Sequence, residues 1–447
     1  MRKKLFVKNM LIMSFSALVI RGIGMVFAVK AADVMGAGLL GRYRLTMGVY
    51  AFFVLAATSG VSITVTRIAG DLIAQKRESC ACFVRDRAAA MSSVAGAALG
   101  LLMICSSFFL PCELFGSGSA NAVRLLAVSL PFAGFSSAVR GYFSARKKNL
   151  RNAAEQFIEQ LTELIVFIIA CERLDGIGFS PLLCAAIATV AAEVISFLYS
   201  ALLLLSDRRR TPQPKKTEKM FSKAFPIYLP CTASSGLRSA LSLAENCLIS
   251  HGLILYCGAH TEAMEDYGIM CGMALPCVLF PSVFIIPASQ LIIPELSAAK
   301  TLGQKNGIIH MSGKLLFWVV IYSLIAMLPF IIFPHSIASL LGYPPKAGFF
   351  MRVLAPLIPL SFLDSAVDGM LKGLDCQKSY FRINAAEALL RIIMALTLVP
   401  LLGTIGAAAV ILFGELFNVS LSLWRLIKEL KKTAEKSQWA KTINFSP

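Results

Sequence analysis

Long apolar stretches alternate with short polar ones along the 447 residues. The apolar stretches lie near 10–32, 45–66, 88–110, 122–143, 154–171, 180–205, 225–249, 267–290, 315–333, 349–371, 384–402 and 405–427. Each is close to the roughly 20 residues that a helix needs to cross a bilayer. Backbone in hydrocarbon must satisfy its own hydrogen bonds, and an isolated strand cannot. The pattern therefore predicts an all-α integral membrane protein with about twelve transmembrane helices. The longest polar interruption, SDRRRTPQPKKTEK at 206–219, falls after the sixth stretch and carries two prolines. It divides the chain into a six-helix bundle (1–205), a basic linker (206–224), a second six-helix bundle (225–430) and a tail (431–447).

A repeat supports that division. RGYFSARKKNLRNAAE (140–155) overlies KGLDCQKSYFRINAAE (372–387) without a gap, 232 residues apart. Arg140 falls on Lys372, Gly141 on Gly373, Arg146 on Lys378, and Asn152 to Glu155 on Asn384 to Glu387. Both copies open the fifth helix of a bundle. An even number of helices per copy gives the two bundles the same orientation, a parallel internal repeat.

Composition agrees with a bilayer solvent. The chain is 57% hydrophobic and 15% charged, with a mean hydropathy of +0.72, whereas a soluble chain carries about 25% charged residues. The net charge of +18 is spread between apolar stretches, so it does not describe a nucleic-acid surface. With the N-terminus inside, the inner segments hold 33 of the 43 lysines and arginines, and the outer loops hold seven. That bias places both termini in the cytoplasm. Arg21 interrupts the first apolar stretch, and no small-residue cleavage site precedes it, so the segment reads as a helix and not as a cleaved signal. The twelve cysteines form no Cys-x-x-Cys, and no two histidines have metal-ligand spacing. Neither a disulfide framework nor a metal is expected. There is no nucleophile–base pattern and no phosphate-cradling glycine loop, so no catalytic residue is assigned.

Charges at membrane depth are the candidate chemistry, because each costs a few kcal/mol (roughly 2.5–3.5) and usually faces a cavity. Arg21 lies midway along the first helix. In the seventh, Thr232, Ser235, Ser239, Ser242 and Asn246 recur at helical spacing, flanked by Arg238 and Glu245; that stripe reads as a wetted cavity wall, or as hydrogen bonding between helices. Glu387 and Arg391 stand at i and i+4, the favourable order for a helical ion pair. Arg391 overlies Glu159 in the repeat, so equivalent places carry opposite charge; a meeting of the two across the pseudo-axis is a conjecture. The fifth helix sets Glu155, Glu159 and Glu163 on one face, with Glu155 read as a favourable helix start. Asp364 and Asp368, also i and i+4, form a possible proton or sodium site, or Asp368 is merely solvated. Glu193 and Glu415 have no assigned partner.

These residues carry a family resemblance. MGAGLLGRYRL (35–45) resembles the Leu-Gly-x-x-x-Leu-Gly-x-Tyr signature of the multidrug/oligosaccharidyl-lipid/polysaccharide exporter superfamily. RGYFSARKKNLRNAAEQFIEQ (140–160) resembles its Arg-Gly-Tyr-Phe and Ile-Glu-Gln pattern. YGIMCGMALP (267–276) and LIIPELSAA (291–299) resemble the branch of stage V sporulation protein B and related polysaccharide transporters. Together the motifs span nearly the whole chain.

The resemblance implies a two-lobed flippase of the bacterial cytoplasmic membrane that moves a polyprenyl-diphosphate-linked sugar, such as a peptidoglycan precursor, by alternating access. It implies that Arg21 matches the first of the helix-one arginines that hold the diphosphate in lipid II flippases. Their second falls on Phe27 here, and their helix-eight arginine falls on Met270. Glu245 stands where relatives often carry a cation-binding aspartate. The expected substrate-binding set is therefore Arg21, Arg238, Arg391, Ser235, Ser239 and Ser242. The expected coupling set is Glu245, Asp364, Asp368, Glu159, Glu163 and Glu387, working with Na+ or H+ and with no other cofactor. The partners expected are a lipid-linked sugar and membrane lipids, with the protein a monomer. The alternatives are a cation-coupled multidrug antiporter of the same superfamily, which needs a predominantly acidic cavity, and a non-transporting scaffold for envelope assembly. A membrane enzyme on lipid-linked sugars would need a catalytic constellation that is absent.

Overall fold

A computed structural model describes the backbone of residues 2–116, 118–174, 179–208, 220–301 and 304–443. Most of the linker and the end of the tail thus lie outside the described residues. Among those described there is no strand. Among the described residues seven helices are long and apolar enough to span a bilayer, or nine when two bent pairs are each taken as one span.

Two of the seven are too long for a single crossing. Phe15–Ala74 has 60 residues, about 90 Å at ~1.5 Å per residue, against a hydrocarbon core of about 30 Å. It breaks at Gly36, where φ is +65°. Gln377–Lys431 breaks in the same way at Gly403, with φ +58°. Side chains rarely adopt that backbone conformation, and glycine does so freely. Residues 33–44, read from the sequence as a loop, are therefore helical apart from Gly36, since Ala and Leu on either side favour helix. One further span, Asn149–Leu174, is 26 residues long and is kept out of the apolar set by its glutamates. Counted this way the helices make the twelve expected.

The eighth span is irregular. It runs from His260–Tyr267 through a π-helical stretch, Gly268–Ala274, and a 3-10 turn, Phe280–Val283, to Ile285–Thr301. Pro276 and Pro281 each remove a backbone donor here, which the even apolar pattern did not foretell.

The chain forms two compact units. One comprises Gly22–His251 and Ala259–Gly268, and the other Met1–Arg21, Gly252–Gly258 and Ile269–Pro447. These packing units assign the first and seventh helices differently from the repeat-based bundles. Each unit has an apolar core from equivalent helices. In the first, Val65, Leu72, Val84, Val139, Phe143 and Leu204 pack together. In the second, Leu296, Ile308, Val367, Met370, Leu371 and Leu426 do so. The duplication extends to single contacts. A methyl group added at Gly141 would meet the Ser62 carbonyl, and one added at Gly373 would meet the Ile293 carbonyl. Both glycines let the fourth helix of a copy approach the second.

An ionic cluster closes one end of the first unit. Arg85 is fully buried and donates to Asp86 at 2.8 Å and Asp207 at 2.7 Å. Asp207 also accepts from Arg146 at 2.9 Å and from the Tyr142 hydroxyl at 3.1 Å. Arg208 reaches Asp86 at 2.8 Å. The cluster ties helices Glu78–Ser106, Leu130–Ala145 and Pro181–Arg208 together just before the linker.

Candidate functional site

The first unit holds a buried polar cluster built from four helices. Asn149–Leu174 contributes Glu155, Glu159 and Glu163 at four-residue spacing, which is one helical face. Glu155 is 1% exposed; its Oε1 accepts from Ser196 at 2.9 Å and Ser200 at 3.0 Å. Glu155, read as a favourable helix start, thus lies buried inside Asn149–Leu174 and bonds to the sixth helix. Glu163 accepts from Thr189 at 2.9 Å and Gln160 at 3.1 Å. Glu193 faces them from Pro181–Arg208. Its Oε1 accepts from the Tyr50 hydroxyl at 3.5 Å, and Tyr50 also pairs with Ser129 at 2.9 Å. Glu193 Oε2 is buried with no hydrogen-bond partner among the described residues.

One guanidinium serves the cluster. Arg140 lies 3.5 Å from Glu159 and 3.9 Å from Glu155. By sequence alone Arg140 is one of the inner basic residues, and Glu193 has no assigned partner. A signal was present in the sixth helix, where Glu193, Ser196 and Ser200 repeat at helical spacing and form a polar stripe on an apolar span.

In the second unit, the Arg21 guanidinium donates to Ser282 Oγ at 2.6 Å and the Leu279 carbonyl at 3.5 Å. Both partners are neutral and come from the irregular part of the eighth span. Arg391 has a different setting. It meets Glu387 at 2.7 Å, as the i,i+4 spacing predicts, and also Glu415 at 2.8 Å. Glu159 and Arg391 therefore each have ionic partners within their own unit. Asp368 lies 3.8 Å from Lys372, whose ammonium stands over the Tyr380 ring. Asp364, one turn earlier, is half-buried.

The seventh-helix stripe lies on Met220–Cys257. Ser239 is buried, Ser235 and Glu245 are half-buried, and Ser242 and Arg238 are exposed. Asn246 accepts from the Tyr267 hydroxyl at 3.1 Å, so part of the stripe bonds between helices. At the two positions where lipid II flippases carry further arginines, Phe27 packs on Phe167 with ring centroids 5.0 Å apart, and Met270 is fully buried. Among the described residues no group of histidine, cysteine and carboxylate side chains is placed to hold a metal ion.

The chain is similar over nearly its whole length to sporulation proteins of Bacillus subtilis (strain 168). It is 21% identical to stage V sporulation protein B, over 98% of this chain and 87% of that protein. It is 19% identical to sporulation protein YkvU, over 89% of this chain and 88% of that one. Among solved structures, it superposes with a TM-score of 0.73 on an inward-facing multidrug resistance transporter of the MATE family in the MOP superfamily. That match is 14% identical and covers 94% of this chain and 99% of the other. A MOP superfamily transporter from Pyrococcus furiosus gives a TM-score of 0.68 at 14% identity, covering 96% of each chain. The motif resemblance and the all-helical, multi-pass fold are thereby borne out. Residues 6–249 match the polysaccharide biosynthesis protein family, and the chain belongs to that family.

Proposed function

We propose that the protein exports a polyprenyl-diphosphate-linked oligosaccharide or peptidoglycan precursor across the bacterial cytoplasmic membrane by alternating access. The observation that carries this reading is Arg21. It is a guanidinium at membrane depth whose partners among the described residues are a hydroxyl and a carbonyl. Its charge is therefore left for an anion, and a guanidinium fork suits phosphate oxygens. Arg238, exposed on the first helix of the second copy, is a second cation proposed for the substrate, argued from its own helix alone.

The buried carboxylates of the first unit are the coupling site in this reading. Four glutamates surround one arginine, so the set holds more acid than its resident cation balances. Arg140 already occupies the cation position and repels a metal cation. Ser196, Ser200, Thr189 and Gln160 use carboxylate lone pairs that sodium would need. Protons are thus the coupling ion, with Glu193 Oε2 the receiving atom. The same acidity supports the second reading, a drug–cation antiporter.

A flipping assay in proteoliposomes, with a fluorescent polyprenyl-diphosphate disaccharide and an imposed pH gradient, tests both readings. Arg21→Ala and Arg238→Ala each lose a charge-assisted contact worth on the order of 1.5–3 kcal/mol, a roughly ten- to hundredfold loss of affinity. Arg21→Lys recovers part, since it keeps the charge and loses the fork. Glu193→Gln retains binding and loses acceleration by the gradient. Wild-type flipping by both alanine variants sinks the lipid-diphosphate reading, and pH-driven transport of cationic drugs in its place favours the antiporter. Binding of the lipid without any flipping favours the scaffold.

The orientation proposed has both termini and residues 206–224 in the cytoplasm, from the excess of basic residues on that side. Single cysteines placed at 206–224, with the twelve native cysteines replaced, should resist an impermeant thiol reagent in intact cells. Labelling from outside overturns this orientation.

A further inference from the structure

The two copies of the fifth and sixth helices place their charges in register. At the 232-residue offset Glu155 overlies Glu387, and Glu159 overlies Arg391. Past the shorter connection of the second copy the offset is 222, and Glu193 overlies Glu415, Ser196 overlies Asn418 and Ser200 overlies Ser422. Each copy thus carries carboxylates at the same two places on adjoining helices, and what differs is the cation that serves them.

In the first unit the cation comes from the fourth helix, as Arg140. Its counterpart Lys372 serves Asp368 instead. In the second unit the cation comes from within the eleventh helix, as Arg391, held 2.7 Å from Glu387 and 2.8 Å from Glu415, with all three side chains 12–15% exposed. A seat is built for it. A Cβ at Gly414 would collide with the Arg391 side chain, and the first copy has Ala192 at that place, where Glu159 stands in the position of Arg391.

We propose that Arg391 is a tethered cation, permanently filling in the second unit the place that Glu387 and Glu415 would otherwise offer to a mobile cation. A guanidinium does not lose its proton in a protein, and a covalent tether keeps it from leaving. The second unit therefore takes up no mobile metal cation at this place, and the proton coupling proposed above stays with Glu193, whose Oε2 has no partner among the described residues. Two carboxylates on one guanidinium also make Arg391 a poor ligand for a diphosphate. The assignment of coupling to one copy rests on the transport reading above; the tethered cation itself does not.

The test is thermal unfolding of the full-length protein in detergent, titrated with low-millimolar guanidinium, sodium or potassium chloride against tetramethylammonium chloride at equal ionic strength. Arg391→Ala is expected to melt several degrees lower than wild type and to regain a saturable part of that loss with guanidinium or an alkali cation. Wild type and Arg391→Lys should show no such response. Adding Glu387→Gln and Glu415→Gln to Arg391→Ala should abolish the response and restore stability, because the charges are then removed together. The proposal is overturned if Arg391→Ala shows no cation-specific stabilisation, or if the triple variant responds equally. Where Arg391→Ala cannot be isolated, the triple variant decides, and its failure to fold also overturns the proposal. So does a folded triple variant that no longer gains stability from a polyprenyl diphosphate that stabilises wild type, since Arg391 would then belong to the substrate site. No step of the cation titration uses a substrate, so a wild type that fails to flip lipid would leave the tethered cation standing.

Discussion

Arg140→Ala is expected to destabilise the protein by about 3 kcal/mol, the lower end of the cost of removing one partner from a buried ion pair, since Arg140 itself is half-buried. Arg140 is the guanidinium of a cluster holding Glu155, Glu159, Glu163 and Glu193, and it lies within 4 Å of the first two. Without it, buried carboxylates face one another across the fifth and sixth helices. Hydroxyls from Ser196 and Ser200 still reach Glu155, but a hydroxyl does not cancel a charge. A loss near 3 kcal/mol lowers the ratio of folded to unfolded protein by more than a hundredfold, which for most domains is a large share of the total. Adding Glu159→Gln should return a substantial part, because it removes the carboxylate nearest to the missing guanidinium. Unfolding in detergent, followed by tryptophan fluorescence or thiol exposure, reads both variants. A change under about 0.5 kcal/mol in Arg140→Ala, the range of ordinary surface substitutions, would show that the cluster does not need its cation.

Asp207→Ala should cost about 3 kcal/mol or more by the same physics with the sign reversed. Asp207 accepts from Arg85, Arg146 and Tyr142, so its loss leaves a fully buried guanidinium with Asp86 as its remaining carboxylate. The Tyr142 ring, 4.8 Å from the Arg85 guanidinium, offsets part of the cost, since a cation–π contact is worth roughly 0.5–2 kcal/mol. The change leaves the Arg208–Asp86 pair to hold the end of helix Pro181–Arg208 to helix Glu78–Ser106, just ahead of the linker. Replacing Arg85 by Met in the same chain removes the stranded charge and should recover stability. A double variant no more stable than Asp207→Ala alone would show that the two residues do not act as a pair.

The two clusters show where sequence reading reaches and where it stops. Arg140 stands in RGYFSARKK among basic residues that signal a cytoplasmic border, and its role as counter-ion rests on the packing of the fourth helix against the fifth. Glu415 carries no local signal, because its partner Arg391 is 24 residues away on another helix. Glu387 and Arg391 were legible as a pair because the helix itself sets their spacing. The seventh-helix stripe was legible as a polar face, whereas the burial of Ser239 beside the exposure of Ser242 depends on neighbours that periodicity does not name.

By itself the sequence determined the class and plan of the protein. A bilayer admits only segments that satisfy their own backbone, so twelve apolar stretches must be helices. A duplicated chain repeats its contacts, so the NAAE register foretold that Gly141 and Gly373 do the same work. The bonding of the buried charges was decided only by the tertiary structure. In a low-dielectric interior a charge is governed by whichever opposite charge or dipole lies within a few ångströms, and those neighbours come from different helices. That is why Arg21 rests on neutral partners, Arg391 lies between two carboxylates, and Arg140 serves a nest of glutamates.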